Sequence, residues 1–181
     1  MNLQRQMRLP KLNGRALTLV ASVALAIGGS SALQSAETSN LSVTASVTAN
    51  CSITTAPVAF GAYDPVTTNA TTDLDSTGTI SVTCTDDAAT TITLDEGGTP
   101  DTGSTPAAPE RRLYDGVANY LSYELFSDTL RADVWGADAT SDFEYEGTGT
   151  LEVLTVYGTI PAGQNVPAGN YTDTVLATIT F

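Results

Sequence analysis

The sequence contains no histidine, one tryptophan and only two cysteines in 181 residues. Without histidine there can be no Ser-His-Asp triad, and the commonest protein ligand of transition metals is missing as well. No glycine pair has the flanking residues of a phosphate-binding loop. Carboxylates are plentiful, so an Asp/Glu pair for glycoside hydrolysis stays open as an alternative. We expect a protein that is not an enzyme, with no catalytic residue, no cofactor and no metal site.

Positive charge is equally scarce beyond the N-terminal region. Four of the seven basic residues lie before residue 16, so three arginines face 20 acidic residues in the remainder, a formal charge of −17. A surface of this charge repels nucleic acid and anionic lipid, so we expect neither as a partner. It suits a protein that must stay soluble outside the cell.

The sequence also lacks an apolar run long enough to cross a bilayer easily, which takes about 20 residues. The apolar run at residues 16–27 follows a basic leader and precedes the small residues 28–32. This order of basic, apolar and small-residue regions is typical of a secretory signal peptide. We therefore predict a signal peptide over residues 1–32, with cleavage after residue 36 as the alternative, followed by an exported domain.

The two cysteines, Cys51 and Cys84, form an even pair in a chain predicted to be exported, which indicates a disulfide. The bridge would close a loop of about 34 residues and stabilise the fold by roughly 3–4 kcal/mol in the chain-entropy account. The alternative of two thiols on a metal finds no support, because there is no C-x-x-C spacing and no histidine.

Alternation of apolar and polar residues, by contrast, is abundant. Residues 41–51 alternate without interruption, with Leu41, Val43, Ala45 and Val47 on one face. A period of two residues, rich in Val and Thr, indicates a half-buried strand. Further strands are predicted at residues 51–53, 57–63, 77–84, 89–94, 111–114, 119–126, 131–135, 150–160 and 171–181, with loops at 66–76, 96–110 and 136–149. Because no mature segment has a 3.6-residue apolar period, the pattern predicts an all-β sandwich of about seven or eight strands.

The two ends of the predicted domain raise a question about pairing. The last alternating strand reaches residue 181, so nothing later in the sequence would cover its free edge. An uncovered apolar edge is an aggregation hazard. The N-terminal alternating stretch could fold back onto its own sheet, or it could complete the sheet of the next molecule and so propagate a head-to-tail filament. The pattern alone leaves both arrangements open.

Eight segments carry a resemblance to a known family. They are residues 47–51 (VTANC), 60–65 (FGAYDP), 78–84 (GTISVTC), 111–113 (RRL), 121–125 (LSYEL), 134–136 (VWG), 154–163 (LTVYGTIPAG) and 167–175 (PAGNYTDTV). In their order and spacing they resemble the spore coat protein U domain, the pilin domain of archaic chaperone–usher pili, over residues 41–181. The long acidic segment 133–146 departs from the family pattern and would decorate the outer face of a filament.

The resemblance implies an immunoglobulin-like β-sandwich that lacks its final strand and is completed by donor-strand exchange. Residues 33–50 would then be a donor-strand extension, and residues 51–181 the sandwich domain. The donor side chains would be Leu41, Val43, Ala45 and Val47. The acceptor groove would be lined by the C-terminal strand, at Val175, Ala177, Ile179 and Phe181. Cys51 and Cys84 match the disulfide positions of the family.

The function implied by the resemblance is that of a pilin, a structural subunit of a surface pilus that supports adhesion and biofilm formation. Its partners would be other copies of itself in a head-to-tail filament, a periplasmic chaperone and an outer-membrane usher. The chain would be secreted through the periplasm to the cell surface. Two alternatives remain: a spore-coat or other surface-layer protein, and a carbohydrate-binding module that stacks sugars on Trp135 and Tyr114.

Overall fold

A computed structural model of the protein describes residues 34–181, so the signal peptide predicted over residues 1–32 lies outside the described residues. Residues 34–50 are exposed and contain no strand or helix. The unit from Ala45 to Phe181 contains all the strands found in the described residues. The strands of the described residues are β1 (Cys51–Ala56), β2 (Leu74–Cys84), β3 (Ala89–Leu94), β4 (Arg111–Tyr114), β5 (Tyr120–Phe126), β6 (Phe143–Glu146), β7 (Leu151–Ile160) and β8 (Ala177–Thr180), with one 3-10 turn at Thr68–Ala70.

The strands form two antiparallel sheets. The larger sheet has the order β1-β2-β7-β5-β4, and the smaller has the order β6-β3-β8. The longest ladder joins β2 to β7, from the pair Leu74↔Ile160 to the pair Thr83↔Leu151. The all-β sandwich of the sequence prediction is therefore confirmed. In the described residues no helix has the length and apolar character needed to span a membrane.

The core lies between the two sheets and follows from the alternation in the sequence. Its buried members are Ile80, Val82, Ile92, Leu94, Leu121, Tyr123, Leu125, Trp135, Val156 and Ile160. Most occupy every second position of β2, β3, β5 and β7, because successive side chains of a strand point to opposite faces. Burial of each aliphatic member stabilises the fold by about 1.5–3 kcal/mol, so the alternation fixes which faces meet.

One predicted strand, residues 57–63, does not form. Pro57 has no N–H for a ladder, and Gly61 has a φ of 80°, a left-handed conformation that interrupts an extended strand. The segment instead lies against the inner face of the larger sheet, where Gly78 and Gly158 leave room for it. The prediction was wrong because the alternation of Val58 and Phe60 reflects packing on the sheet and not pairing within it.

The predictions for residues 131–149 were also wrong. No strand forms at residues 131–135, where Arg131 has a φ of 55° and only the single bridge Phe126↔Val134 is made. Within the predicted loop, β6 pairs with β3 through registers such as Ile92↔Phe143. Phe143 also packs on Trp135, with 5.2 Å between ring centroids. The strand β6 depends on its pairing with β3, which lies far from it in the sequence. The local pattern therefore gave no signal for this strand.

Candidate functional site

The site is an open groove beside the free edges of β1 and β8, between the segment that follows β1 and the segment that leads into β8. β1 pairs only with β2, through registers from Cys51↔Cys84 to Ala56↔Thr79. β8 pairs only with β3, through registers from Thr91↔Thr180 to Leu94↔Ala177. Within the described residues, neither strand has a partner on its other side. Such edges expose unpaired backbone groups, which makes them templates for an added strand.

The groove consists of two adjoining cavities. The first has a volume of about 280 Å³ and lies between residues 55–58 and residues 173–177. The second has a volume of about 720 Å³ and lies between residues 58–65 and residues 166–173. Both are lined mainly by apolar side chains, and they share Val58, Phe60, Leu113 and Asp173. Half-buried apolar side chains that pack on the core, among them Val58, Phe60 and Leu113, therefore face solvent along this side of the sandwich.

One wall of the groove is the segment 57–63, and two glycines allow its close approach. A Cβ on Gly78 would lie 2.7 Å from Val58 Cγ2, and a Cβ on Gly158 would lie 2.7 Å from Val58 Cγ1 and 2.8 Å from Phe60 Cζ. Ser76 also donates its hydroxyl to the carbonyl of Ala59 at 2.7 Å. The wall is thus seated directly on the backbone of β2 and β7.

The opposite wall is the C-terminal segment 171–177, which enters β8. The predicted strand over residues 171–181 forms only at Ala177–Thr180, because residues 171–176 pass from one sheet to the other. Thr172 bridges to Tyr114 of the larger sheet, whereas Ala177 pairs with Leu94 of the smaller one. The alternation nonetheless holds. Residues Tyr171, Asp173, Val175, Ala177 and Ile179 are half-buried, and those between them are exposed.

The predicted acceptor residues divide between two places. Val175 and Ala177 line the first cavity. Ile179 packs against the core without lining either cavity of the groove. Phe181 is 54% exposed and lies in a separate depression beside Glu144 and Glu146. The groove therefore extends from Ala177 toward residue 166, not toward Phe181.

Two aspartates hold the C-terminal wall in place. Asp173 Oδ2 accepts the Tyr123 hydroxyl at 2.7 Å, and Asp173 Oδ1 accepts the Gly98 N–H at 2.8 Å. Asp95 Oδ1 accepts the N–H of Leu176 at 2.9 Å. Burial, together with the hydrogen bond to Asp173, raises the pKa of Tyr123, so this hydroxyl stays protonated and remains a donor. Sequence reasoning missed both aspartates as wall residues, since acids are common throughout the loops.

The predicted donor residues are exposed. The exposed fractions of Leu41, Val43 and Val47 are 88%, 85% and 86%, and Ala45 is exposed too. These are apolar side chains on one face of an alternating stretch, and burial of each Leu or Val would be favourable by about 1.5–3 kcal/mol.

The disulfide expected between Cys51 and Cys84 is present at the start of β1. Directly before it, Asn50 donates its N–H to Thr85 Oγ1 at 3.0 Å, and its carbonyl accepts the Thr85 N–H at 2.9 Å. The direction in which the chain leaves β1 is therefore fixed by one covalent bond and two hydrogen bonds.

Trp135 does not form a surface platform. It is 1% exposed, and its Nε1–H donates to the carbonyl of Ile92 at 2.9 Å. Tyr114 instead stacks on Tyr120, with 5.0 Å between ring centroids. The alternative of a sugar-stacking pair made by Trp135 and Tyr114 is therefore wrong.

The fold and the groove together define the structural class of the protein. It is an immunoglobulin-like β-sandwich that is open along one side. The Spore Coat Protein U domain family matches residues 37–178, and the chain belongs to this family. It is similar to "Protein U" of Myxococcus xanthus, with 42% identity over 173 residues that cover 92% of this chain and 97% of that protein. The family and fold are those of structural subunits and not of enzymes.

A solved structure shows a similar fold. It is a chain in the crystal structure of the CsuC-CsuE chaperone-tip adhesion subunit pre-assembly complex from the archaic chaperone-usher Csu pili of Acinetobacter baumannii. The TM-score is 0.52 at 22% identity, and the match covers 75% of this chain but 40% of that chain. At this identity, the likeness supports the fold alone.

Proposed function

We propose that this protein is a structural subunit of a chaperone–usher surface pilus, assembled by strand donation between copies. The observation that carries the proposal is the groove between residues 55–65 and the C-terminal segment, which leaves half-buried apolar side chains next to the core facing solvent. The same chain presents an exposed alternating stretch with Leu41, Val43, Ala45 and Val47 on its apolar face. The open apolar groove and the exposed stretch with one apolar face are therefore complementary.

The way the chain leaves β1 favours donation to another copy over return to the same groove. Asn50 is hydrogen-bonded to Thr85, the residue after β2, and residues 45–50 are exposed. Residues 41–56 contain no glycine or proline with which to reverse direction. A contact of this kind between unlike surfaces does not close on itself, so it generates a filament.

Strand addition would supply two kinds of stabilisation. Main-chain hydrogen bonds to the free edges give affinity, and alternate side chains in pockets give specificity. Burial of Leu41, Val43 and Val47 would contribute about 5–9 kcal/mol in total before the costs of association are subtracted. The apolar lining of the groove makes this gain larger than at a fully packed edge.

An open apolar groove must be covered before assembly to prevent aggregation, so the proposal includes two partner proteins. A periplasmic chaperone would cover the groove after export, and an outer-membrane usher would exchange it for the next subunit's extension. The similar fold occurs in a chaperone–subunit complex of another chaperone-usher pilus, which is consistent with this route. Adhesion and biofilm formation would follow from the finished surface pilus, and loss of both on deletion of the gene is the expected outcome.

The proposal is tested by changing the two faces of the extension separately. The double variant Val43→Asp with Val47→Asp should abolish polymers, because two charges cannot enter an apolar groove unpaired. The matched control, Ser42→Asp with Ser46→Asp, adds the same charge to the opposite face and should polymerise. Deletion of residues 37–49 should give a chain that a synthetic peptide of residues 38–50 still stabilises. Equal polymerisation by both double variants, or by the deletion, would refute strand donation.

A second function, that of a spore-coat or surface-layer component, is favoured by the family description and by the 42% identity to Protein U. It would use the same strand donation but a different final assembly. Negative-stain microscopy of cells with and without the gene separates the two. Loss of thin surface filaments supports the pilus, whereas loss of a continuous layer on spores or cells supports the coat.

A further inference from the structure

Asp173 is the polar exception on an otherwise apolar wall. The half-buried positions of the C-terminal segment are Tyr171, Asp173, Val175, Ala177 and Ile179. Of these, Asp173 is the one that lines both cavities of the groove, with Val58, Phe60 and Leu113. The carboxylate therefore stands at the junction of the 280 Å³ and 720 Å³ cavities, where an added strand must pass.

The carboxylate cannot move aside. Its Oδ2 accepts the Tyr123 hydroxyl at 2.7 Å, and its Oδ1 accepts the N–H groups of Gly98 and Thr174, both at 2.8 Å. The β3–β4 loop also closes on it, since a Cβ on Gly97 would overlap Oδ2. Three hydrogen bonds and this close backbone fix the side chain, so a strand that enters the groove must adapt to it.

We propose that Asp173 sets the register of the donated strand by requiring the small side chain of Ala45 beside it. This inference rests on the proposed function. Ala45 lies between Val43 and Val47 on the apolar face, so placing it at Asp173 puts one valine in each cavity, whichever way the strand runs. A shift of two residues would place a valine on the carboxylate, and a shift of one would turn the polar face inward.

Ala49, the other alanine of this face, does not fit the same position. It adjoins Asn50, whose backbone is engaged with Thr85 of its own subunit. The next residue on that face, Cys51, is held in the disulfide with Cys84. A register centred on Ala49 would thus leave one of the two cavities without an apolar side chain.

The test uses the full chain carrying Val43→Asp and Val47→Asp, which keeps the groove but should not donate its own extension. Peptides of residues 38–50 are titrated into it, and binding is measured by calorimetry. The Ala45→Leu peptide should bind about tenfold or more weakly than the unchanged peptide, because overpacking against a fixed group is unfavourable. The matched Ala49→Leu peptide should bind within about threefold of the unchanged one.

A second arm addresses Asp173 itself. In an acceptor with Asp173→Ala, the Ala45→Leu peptide should recover to within about threefold of the unchanged peptide, because the fixed group is gone. If that acceptor does not fold, Asp173→Ser is used in its place, and the peptide comparison on the unmutated groove stands by itself. Equal weakening by Ala45→Leu and Ala49→Leu, or no recovery on either acceptor, would overturn the register assignment. Failure of the unchanged peptide to bind would instead overturn the proposed strand donation.

Discussion

Arg111 shows how a single residue can hold the two sheets together. Its guanidinium is fully buried and donates to Glu124 Oε1 at 2.7 Å. It also donates to the carbonyl oxygens of Asp95, Leu94 and Trp135 at 2.9, 3.0 and 2.7 Å. Burial raises the pKa of Glu124, although the guanidinium opposes this effect. The side chain thus joins β4 and β5 of the larger sheet to the end of β3 and to the loop that contains Trp135.

Substitution of this arginine should be costly. Arg111→Met leaves the Glu124 carboxylate and three carbonyls without their donor, and we expect a loss of about 3–5 kcal/mol in the free energy of unfolding. The adjacent Arg112 is the matched control. It also donates to two carbonyls, those of Thr99 and Pro100, but its ion pair with Asp101 is partly exposed, so Arg112→Met should cost less, about 1–2 kcal/mol. Urea denaturation of both variants measures the difference. Similar midpoints for the two would show that the buried network does not hold the sheets.

Asp115 carries a pH dependence at the same scale. Hydrogen bonds from the Asn119 side chain and from the backbone N–H of Val117 and its neighbours lower the pKa of Asp115 to about 2. The value in the unfolded chain is about 3.9. Because the folded pKa is the lower one, the stabilisation is complete above about pH 4 and is lost as pH falls toward 2.

Asp115→Asn should therefore be less stable than the parent at neutral pH, and the difference should shrink between pH 4 and pH 2. Glu152→Gln removes the same charge from β7, where no hydrogen bond to the carboxylate is seen in the described residues, and serves as the control. Urea midpoints measured across this pH range check the prediction. A difference that stays constant with pH would contradict it.

At the scale of the element, the wall of residues 57–63 shows why a segment with strand-like alternation can end up outside a sheet. Val58 and Phe60 alternate inward, but the segment lies on the sheet face at Gly78 and Gly158. Its far end is fastened by Tyr63, whose hydroxyl donates to the Pro161 carbonyl at 2.9 Å. A wall held in this way keeps the groove open without filling it.

The two glycines are therefore needed for the groove. Gly158→Ala places a methyl group 2.7 Å from Val58 Cγ1 and 2.8 Å from Phe60 Cζ, which should displace the wall and reduce stability by about 1–3 kcal/mol. Gly103→Ala is the control, because the nearest atoms there belong to the flexible Glu110 side chain. Binding of a peptide of residues 38–50 should fall in the Gly158→Ala variant and not in the control. If peptide binding were unchanged in both variants, the position of the wall would not determine binding in the groove.

At the scale of the whole molecule, the net charge would oppose the proposed assembly. Residues 34–181 contain three arginines and 20 acidic residues, and copies of this sign repel one another as they approach. Short-range burial in the groove would have to overcome this repulsion. On the proposed function, the free subunit would stay dispersed, and a donated strand would be held once it is in place.

Salt should therefore accelerate polymerisation. Raising ionic strength from about 0.01 M to about 0.1 M shortens the Debye length from about 30 Å to about 10 Å, which screens repulsion between subunits. We expect faster filament growth over this range, measured by light scattering and by sedimentation. The control of Ser42→Asp with Ser46→Asp, which adds two further charges, should show a steeper salt dependence. Growth that slows with salt would mean that attraction between charges drives assembly.

The sequence by itself determined the sheet faces, the disulfide and the family. Alternation at residues such as Ile80, Val82 and Leu121 reports burial directly, because a strand turns successive side chains to opposite faces. The pairing of Cys51 with Cys84 followed from there being two cysteines in a chain predicted to be exported. These properties depend on residue type and local order, which are read without knowing what each segment meets.

Only the tertiary structure decided which alternating segments pair. Residues 57–63 and β6 were assigned wrongly. Residues 57–63 pack on glycines of β2 and β7, and β6 pairs with β3. The place of Asp173 between two cavities likewise depends on Tyr123 and Gly98, which are distant in sequence. Alternation shows that one face of a segment is buried, but the surface that buries it is set by the packing of the whole chain.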